Sequence, residues 1–253
     1  MRIATWNCAG AFRTKVERAL SLDADLTVIQ EAEDPALYRD QIPTGSKVFW
    51  FARPQDRKGI LAFTRPGFTI RPHRSRLRSP PFNHFIPLTM TTPTGQTIVV
   101  FHVWTLGARP REAAYVGQAH LALDHYAGLV SKPGREASGR VRAGTVLVGD
   151  FNSNAYWDSD RRRNHTLLVE RLAAHGIQSA YHLAQGEAHG AESKSTFYLY
   201  RKIERAYHLD YCFTDLPVRG VEVGAYADWS GLKSLGGVSD HVPLVATLTV
   251  PPT

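Results

Sequence analysis

Polar residues stand where apolar runs end at several places in this chain. Asn7 follows Ile3-Ala-Thr-Trp, Glu31 follows Leu26-Thr-Val-Ile-Gln, and His102 follows Ile98-Val-Val-Phe. Asp150 and Asn152 follow Val146-Leu-Val-Gly, Asp210 precedes Tyr211-Cys-Phe, and Asp240-His241 precedes Val242-Pro-Leu-Val. Singly, each has an ordinary explanation, because Asp and Asn start turns and a His beside apolar residues is more often a hydrogen-bonded core group. Together they mean something else. Several carboxylates brought close inside a fold are costly unless a cation or hydrogen bonds compensate them. Their convergence would therefore imply a hard divalent metal held by oxygen donors.

The elements that must position these groups are legible from periodicity. Strand-like runs lie at Arg2–Trp6, Leu26–Gln30, Lys47–Phe51, Ile60–Phe63, Phe85–Met90, Thr97–His102, Thr145–Gly149, Leu209–Phe213, Gly220–Gly224 and Pro243–Val250. Helical stretches fall at Lys15–Leu22, at Arg111–Val130, where Val116, Ala119, Leu123, Tyr126, Ala127 and Val130 mark one face, and at Asn164–His175. Turn-rich breaks occur at Pro43-Thr-Gly45, at Pro93-Thr-Gly95 and over Lys132–Gly144, the last expected to be a basic loop. Hairpins mixed with βαβ-like stretches argue for an α/β sandwich rather than a purely parallel doubly wound sheet. No break is long or polar enough to be a linker, so residues 1–253 are expected to form a single domain.

The 30 Lys and Arg against 23 Asp and Glu give a net charge of +7, which biases the chain toward anionic partners. Cys8 and Cys212 are too few for a disulfide framework or a thiolate-rich zinc site, and buried free thiols are the expectation. The start of the chain lacks the apolar stretch of a secretory signal, and no run is long and apolar enough to span a bilayer. The expectation is a cytoplasmic protein without membrane association, monomeric, and with no protein partner evident.

The order of the motifs resembles the endonuclease/exonuclease/phosphatase superfamily from end to end. The residues that carry this resemblance are Thr5-Trp-Asn7, Ile29-Gln-Glu31, Phe101-His102, Gly149-Asp-Phe-Asn-Ser-Asn154, His208-Leu-Asp210-Tyr and Ser239-Asp-His241. The resemblance implies a four-layer α/β/β/α sandwich of two mixed sheets, whose strand ends hold Mg²⁺ or Mn²⁺ above a phosphate-binding cleft. It implies that Glu31 is the main metal carboxylate, with Asn7 and Asp240 completing or flanking the metal site. Asp150 with Asn152 would align the attacking water and the phosphate, and His102 would contact a phosphate oxygen. Asp210 would orient His241, which would act as general base or stabilise the developing phosphorane charge. Some nuclease branches carry a carboxylate two residues after the Trp-Asn asparagine; here that position is Ala9, so a single tightly held metal is expected, with a two-metal mechanism left open.

Basic residues near these motifs suit a phosphate backbone. Arg71, Arg74, Arg76 and Arg78 cluster with His73, Arg161-Arg-Arg163 follows the Asp150 loop, and Arg135, Arg140 and Arg142 add a third patch. Arg74, Arg76, Arg161 and Arg162 are the expected substrate contacts, against the alternative of a solvated charge run. Tyr156, Trp157, Phe197, Tyr198 and Tyr200 lie near basic residues and could stack bases, although aromatics in strands are more often core. The expectation is a divalent-metal-dependent phosphodiesterase, a nuclease acting on DNA or RNA. The alternatives are a phosphatase acting on a small phosphomonoester or phosphoinositide, and a catalytically inert binding module.

Overall fold

Each of the apolar runs named above forms a strand in the computed structural model of the chain, which describes residues 1–73, 84–107, 114–130, 142–158, 164–231 and 238–252. In chain order the strands are β1 (Arg2–Asn7), β2 (Leu26–Ala32), β3 (Val48–Phe51), β4 (Gly59–Thr64), β5 (Thr69–Pro72), β6 (Phe85–Thr91) and β7 (Thr97–Trp104). They continue with β8 (Arg142–Asp150), β9 (Gln178–Ser179), β10 (Phe197–Tyr198), β11 (Ala206–Tyr207), β12 (Asp210–Thr214), β13 (Val218–Val223) and β14 (Leu244–Leu248). The helices are α1 (Val16–Leu20), α2 (Val116–His125), α3 (Ala127–Val130), α4 (His165–Ala173), α5 (Ala180–Gln185) and α6 (Tyr226–Trp229).

Two six-stranded sheets result, ordered β13-β14-β1-β2-β4-β3 and β5-β6-β7-β8-β12-β9. Both are mixed. β1 runs parallel to β2 and β7 parallel to β8, whereas β14 and β12 run antiparallel to β1 and β8. A parallel pair cannot be closed by a tight turn, and α1 serves the first crossover while α2 and α3 serve the second.

Side-chain alternation explains the layers. Along β7, Ile98 and Val100 enter the core between the sheets, together with Val28 and Ile60 from the other sheet, while Val99, Phe101 and Val103 enter the core beneath α2, α3 and α4. On the opposite outer face, Trp6, Ile29, Leu61 and Phe63 pack with Val16 and Ala19 of α1, Tyr38, and Trp229 of α6. Three stacked apolar cores give the α/β/β/α sandwich. Among the described residues the expected long helix begins at Val116 and is interrupted at Tyr126, whose ring packs against Phe101 at 5.6 Å between centroids. Of the expected basic loop, Arg142–Gly144 belong to β8, and residues 132–141 lie outside the described residues.

One glycine is demanded by this packing. Gly149 has φ +145, and a Cβ there would lie 1.9 Å from the carbonyl oxygen of Val103 on the neighbouring strand. No side chain adopts that conformation without strain, and the obstacle is backbone. Gly149→Ala is expected to destabilise the fold by roughly 3 kcal/mol or more, read as a lower midpoint in urea denaturation. A midpoint within error of wild type would refute the close approach.

Candidate active site

The strand directions bring the sequence-distant polar residues to one edge of the sandwich. β1, β2 and β8 end there, and β12 and the segment before β14 begin there because they run antiparallel to their neighbours. Asn7 and Asp150 close the ends of β1 and β8, Asp210 opens β12, and His241 lies just before β14. Glu31 sits near the end of β2 at a register shift between Gln30 and Ala32, with φ 61. Such a bulge re-aims a side chain.

The contacts cross between the sheets. Asn7 Nδ2 donates to Glu31 Oε1 at 3.2 Å and to Asp150 Oδ2 at 3.1 Å, so the positive end of one amide lies between two carboxylates. Asn7 Oδ1 accepts from the Ala9 amide. Asp150 is buried, accepting from the Asn152 backbone N–H at 2.8 Å on Oδ1 and from Asn152 Nδ2 at 2.9 Å on Oδ2. Asn152 has φ 45 and also donates to the Thr105 carbonyl at 2.9 Å, which fixes its side chain. From the other side, Asp210 Oδ2 lies 2.8 Å from His241 Nδ1, leaving His241 Nε2 for other partners. Asp210 is directly opposite Asp150 in the β8–β12 ladder.

Burial and these charges set the protonation states. Burial pushes the Asp150 carboxyl up to about 7; the His241 charge pulls it down, the Asp210 charge pushes it up, and the Asn7 donor favours ionisation. Burial alone would lower the His241 imidazole, but the carboxylates of Asp210, Asp150 and Asp240 outweigh it and hold the group up to about 10. At neutral pH His241 is therefore a cation, with Asp210 fixing its orientation.

The structure brings Asn7, Glu31, Asp150, Asn152, Asp210 and His241 together. Asp240 is adjacent and half-buried, and its backbone carbonyl accepts from the Tyr198 N–H at 2.8 Å. His102 is not hydrogen-bonded to any of the others. It is fully buried on the inner face of β7, with Nε2 3.0 Å from Gln30 Nε2 of the opposing sheet. Burial and the neighbouring His84 lower it to about 3, so it is neutral and accepts from Gln30. Arg74, Arg76, Arg161 and Arg162 lie outside the described residues.

Sequence reasoning passed over several supporting groups. Lys58 Nζ lies 2.8 Å from Glu31 Oε2; nothing marks this lysine in the sequence, and only the pairing of Ala32 with Gly59 brings it there. Thr196 Oγ1 accepts from the backbone N–H groups of both Leu209 and Asp210 at 2.9 Å, so it anchors the start of β12. Phe197 packs on His241 with 4.7 Å between ring centroids. Of the aromatics considered for stacking, Tyr198 is buried, whereas Tyr156 and Tyr200 are 75% and 73% exposed.

The residues fit a hard divalent ion. Asp210 Oδ1 is buried without a hydrogen-bond partner among the described residues, and donor atoms of Asp150, Asp210 and His241 lie within 4.8 Å of one another. Glu31 adds a carboxylate whose hydrogen-bond partners among the described residues are Asn7 and Lys58. A cluster dominated by oxygen, with one imidazole, suits Mg²⁺ or Mn²⁺ better than a thiolate-seeking metal.

No curated protein matches the chain. Among solved structures, it is similar to a 3′ phosphatase, NExo, from Neisseria bound to product DNA hairpin, with TM-score 0.67 and 16% identity over 98% of this chain and 99% of that one. It is similar to truncated TDP2 from Caenorhabditis elegans, with TM-score 0.66 and 13% identity over 98% of this chain and 96% of that one. An endonuclease/exonuclease/phosphatase from Bacteroides vulgatus gives TM-score 0.65 and 16% identity over 99% and 98%. At these identities the likeness concerns the fold. The sequence profile of one family, however, matches residues 4–241 and spans every motif of the site. The chain belongs to the Endonuclease/Exonuclease/phosphatase family, whose members are divalent-metal-dependent phosphoester hydrolases.

Proposed function

We propose that the chain is a Mg²⁺- or Mn²⁺-dependent phosphodiesterase of nuclease type that hydrolyses DNA by in-line attack of water. The observation that carries this reading is the convergence of Asn7, Glu31, Asp150, Asn152, Asp210 and His241 in one hydrogen-bonded cluster. Asp150, poised near neutrality, takes the proton of the attacking water, which Asn152 helps to orient. His241, cationic and fixed by Asp210, donates from Nε2 to a phosphate oxygen and neutralises charge as the pentavalent species forms. Glu31, with Asn7 and Asp240, would hold the divalent ion. When bound, that ion supplies charge neutralisation at the phosphate and at the leaving alkoxide.

The net charge of +7 and the exposed Tyr156 and Tyr200 support a nucleic acid as substrate. Arg205 lies over the Tyr200 ring at 5.8 Å, which pairs a cation with an aromatic face at the surface. The deciding assay combines plasmid and single-stranded DNA with a panel of phosphomonoesters in the presence of Mg²⁺. Strand cleavage is the expected result. Release of inorganic phosphate from small monoesters without cleavage would replace the nuclease reading with that of a phosphatase.

A second experiment addresses the basic segments. If Arg74, Arg76, Arg161 and Arg162 track the backbone, Asp150→Asn protein should bind duplex DNA with a log–log salt slope of about −4. Replacing the four arginines by glutamine should flatten the slope without changing the metal requirement. Equal slopes for the two proteins would mean that these arginines face solvent.

A further inference from the structure

A group of four histidines surrounds one carboxylate on the side of the Asp150 loop that the proposed chemistry does not use. His182, on α5, lies 3.1 Å through Nε2 from Glu192 Oε1 and 2.7 Å through Nδ1 from Ser179 Oγ. The His189 ring stacks on the His182 ring, 3.5 Å between centroids and 18° apart. His189 Nδ1 lies 3.1 Å from His165 Nε2, and His165 Nδ1 lies 2.9 Å from Ser153 Oγ. Glu192 accepts from the Gly190 N–H at 3.0 Å and from Asn154 Nδ2 at 3.1 Å. His208, whose Nδ1 lies 2.7 Å from the Lys194 carbonyl, has its Nε2 buried without a partner among the described residues, and its ring centroid is 6.1 Å from that of His182.

This is more organisation than a hydrogen-bonded core histidine needs. Each of the three groups that can offer a donor atom is oriented from behind: His182 by Ser179, His189 by His165, Glu192 by Gly190 and Asn154. Orientation of that kind characterises metal ligands and their outer-shell partners. Donor atoms of His182, His189 and Glu192 lie within 4.8 Å of one another. Ligands on a tetrahedral Zn²⁺ at 2.0–2.1 Å would be about 3.3 Å apart, so closure on an ion requires small inward rotations.

We propose that His182, His189 and Glu192 form a Zn²⁺ site separate from the phosphoesterase centre. Two imidazoles and a carboxylate suit zinc, in contrast to the oxygen-dominated catalytic cluster. The ion would tie the segment between α5 and β10 to Asn154, four residues after Asp150. Its role is structural: it fixes the turn that carries Asn152.

The test uses the full chain, stripped with chelator and then held in excess Mg²⁺ to cover the hard-ion site. Co²⁺ is the spectroscopic probe, because four-coordinate Co²⁺ gives an intense visible band and six-coordinate Co²⁺ does not. The expected result is such a band in wild type, bleached by one equivalent of Zn²⁺ and retained in Asp150→Asn. His189→Ala should lose the band and bind Zn²⁺ at that site about 10²-fold more weakly. Absence of the band in wild type would overturn the proposal, and this measurement needs no variant to fold. So would a band that survives His189→Ala in protein with native circular dichroism, or one that disappears in Asp150→Asn.

Discussion

Asp150→Ala and His241→Ala are each expected to lower kcat by at least about 10²-fold while KM changes little, because both groups act mainly as charge and protons move. The two losses should not add. On the proposed mechanism Asp150 takes a proton whose removal is useful only if the charge arriving on phosphate is neutralised by His241, so the double variant should be little slower than the worse single one. Asp150→Asn separates shape from charge. It preserves the position of the side chain between Asn7 and Asn152, so a rate as low as that of Asp150→Ala would assign the loss to proton acceptance. Steady-state kinetics on a defined oligonucleotide, with folding checked by circular dichroism, decides the matter. A rate within a few-fold of wild type in either single variant would remove that residue from the mechanism.

Exhaustive chelation is expected to abolish turnover, and millimolar Mg²⁺ or Mn²⁺ to restore it. Without a bound cation, the carboxylates of Glu31, Asp150 and Asp210 are offset, among the described residues, by the Asn7 and Asn152 donors, the Lys58 ammonium and the His241 imidazole. That is enough for the fold to tolerate them but leaves no Lewis acid for the phosphate. Glu31→Gln should raise the metal concentration needed for half-maximal rate by at least about tenfold. Full activity in the presence of chelator would refute metal dependence. Recovery with Mg²⁺ alone would also show that the turn carrying Asn152 keeps its position without an ion at the histidine-rich site.

Much of this site could be read before the fold was known because its members lie at strand ends, where period-two alternation breaks off in a polar residue. Ile3-Ala-Thr-Trp-Asn and Val146-Leu-Val-Gly-Asp announce Asn7 and Asp150 in that way. The sandwich followed from hairpins mixed with crossovers. What alternation could not deliver was contact between elements remote in sequence. Lys58 reaches Glu31 only through the β2–β4 register, and Thr196 reaches the start of β12 from just before the two-residue strand β10. The two-residue strands β9, β10 and β11 are too short to show any period. His102 shows the limit from the other direction. It carries the expected residue type, yet it stands opposite Val148, one inward-facing position deeper than Asp150, where it meets Gln30 between the sheets.

The edge on which the site is built joins the two extremes of the chain. Ser239 Oγ donates to the Asn7 carbonyl at 2.7 Å, the Trp6 indole N–H donates to the His241 carbonyl at 3.1 Å, and β14 pairs with β1. During synthesis, β1 emerges before every other described strand and must wait for β14. A ribosome-bound chain that has not yet extruded His241 lacks the imidazole that pairs with Asp210, however well β2 to β12 have packed. On the proposed mechanism catalytic competence thus arrives in one step, when the segment from Ser239 to Leu248 docks on β1, and a copy truncated before residue 241 would be inert.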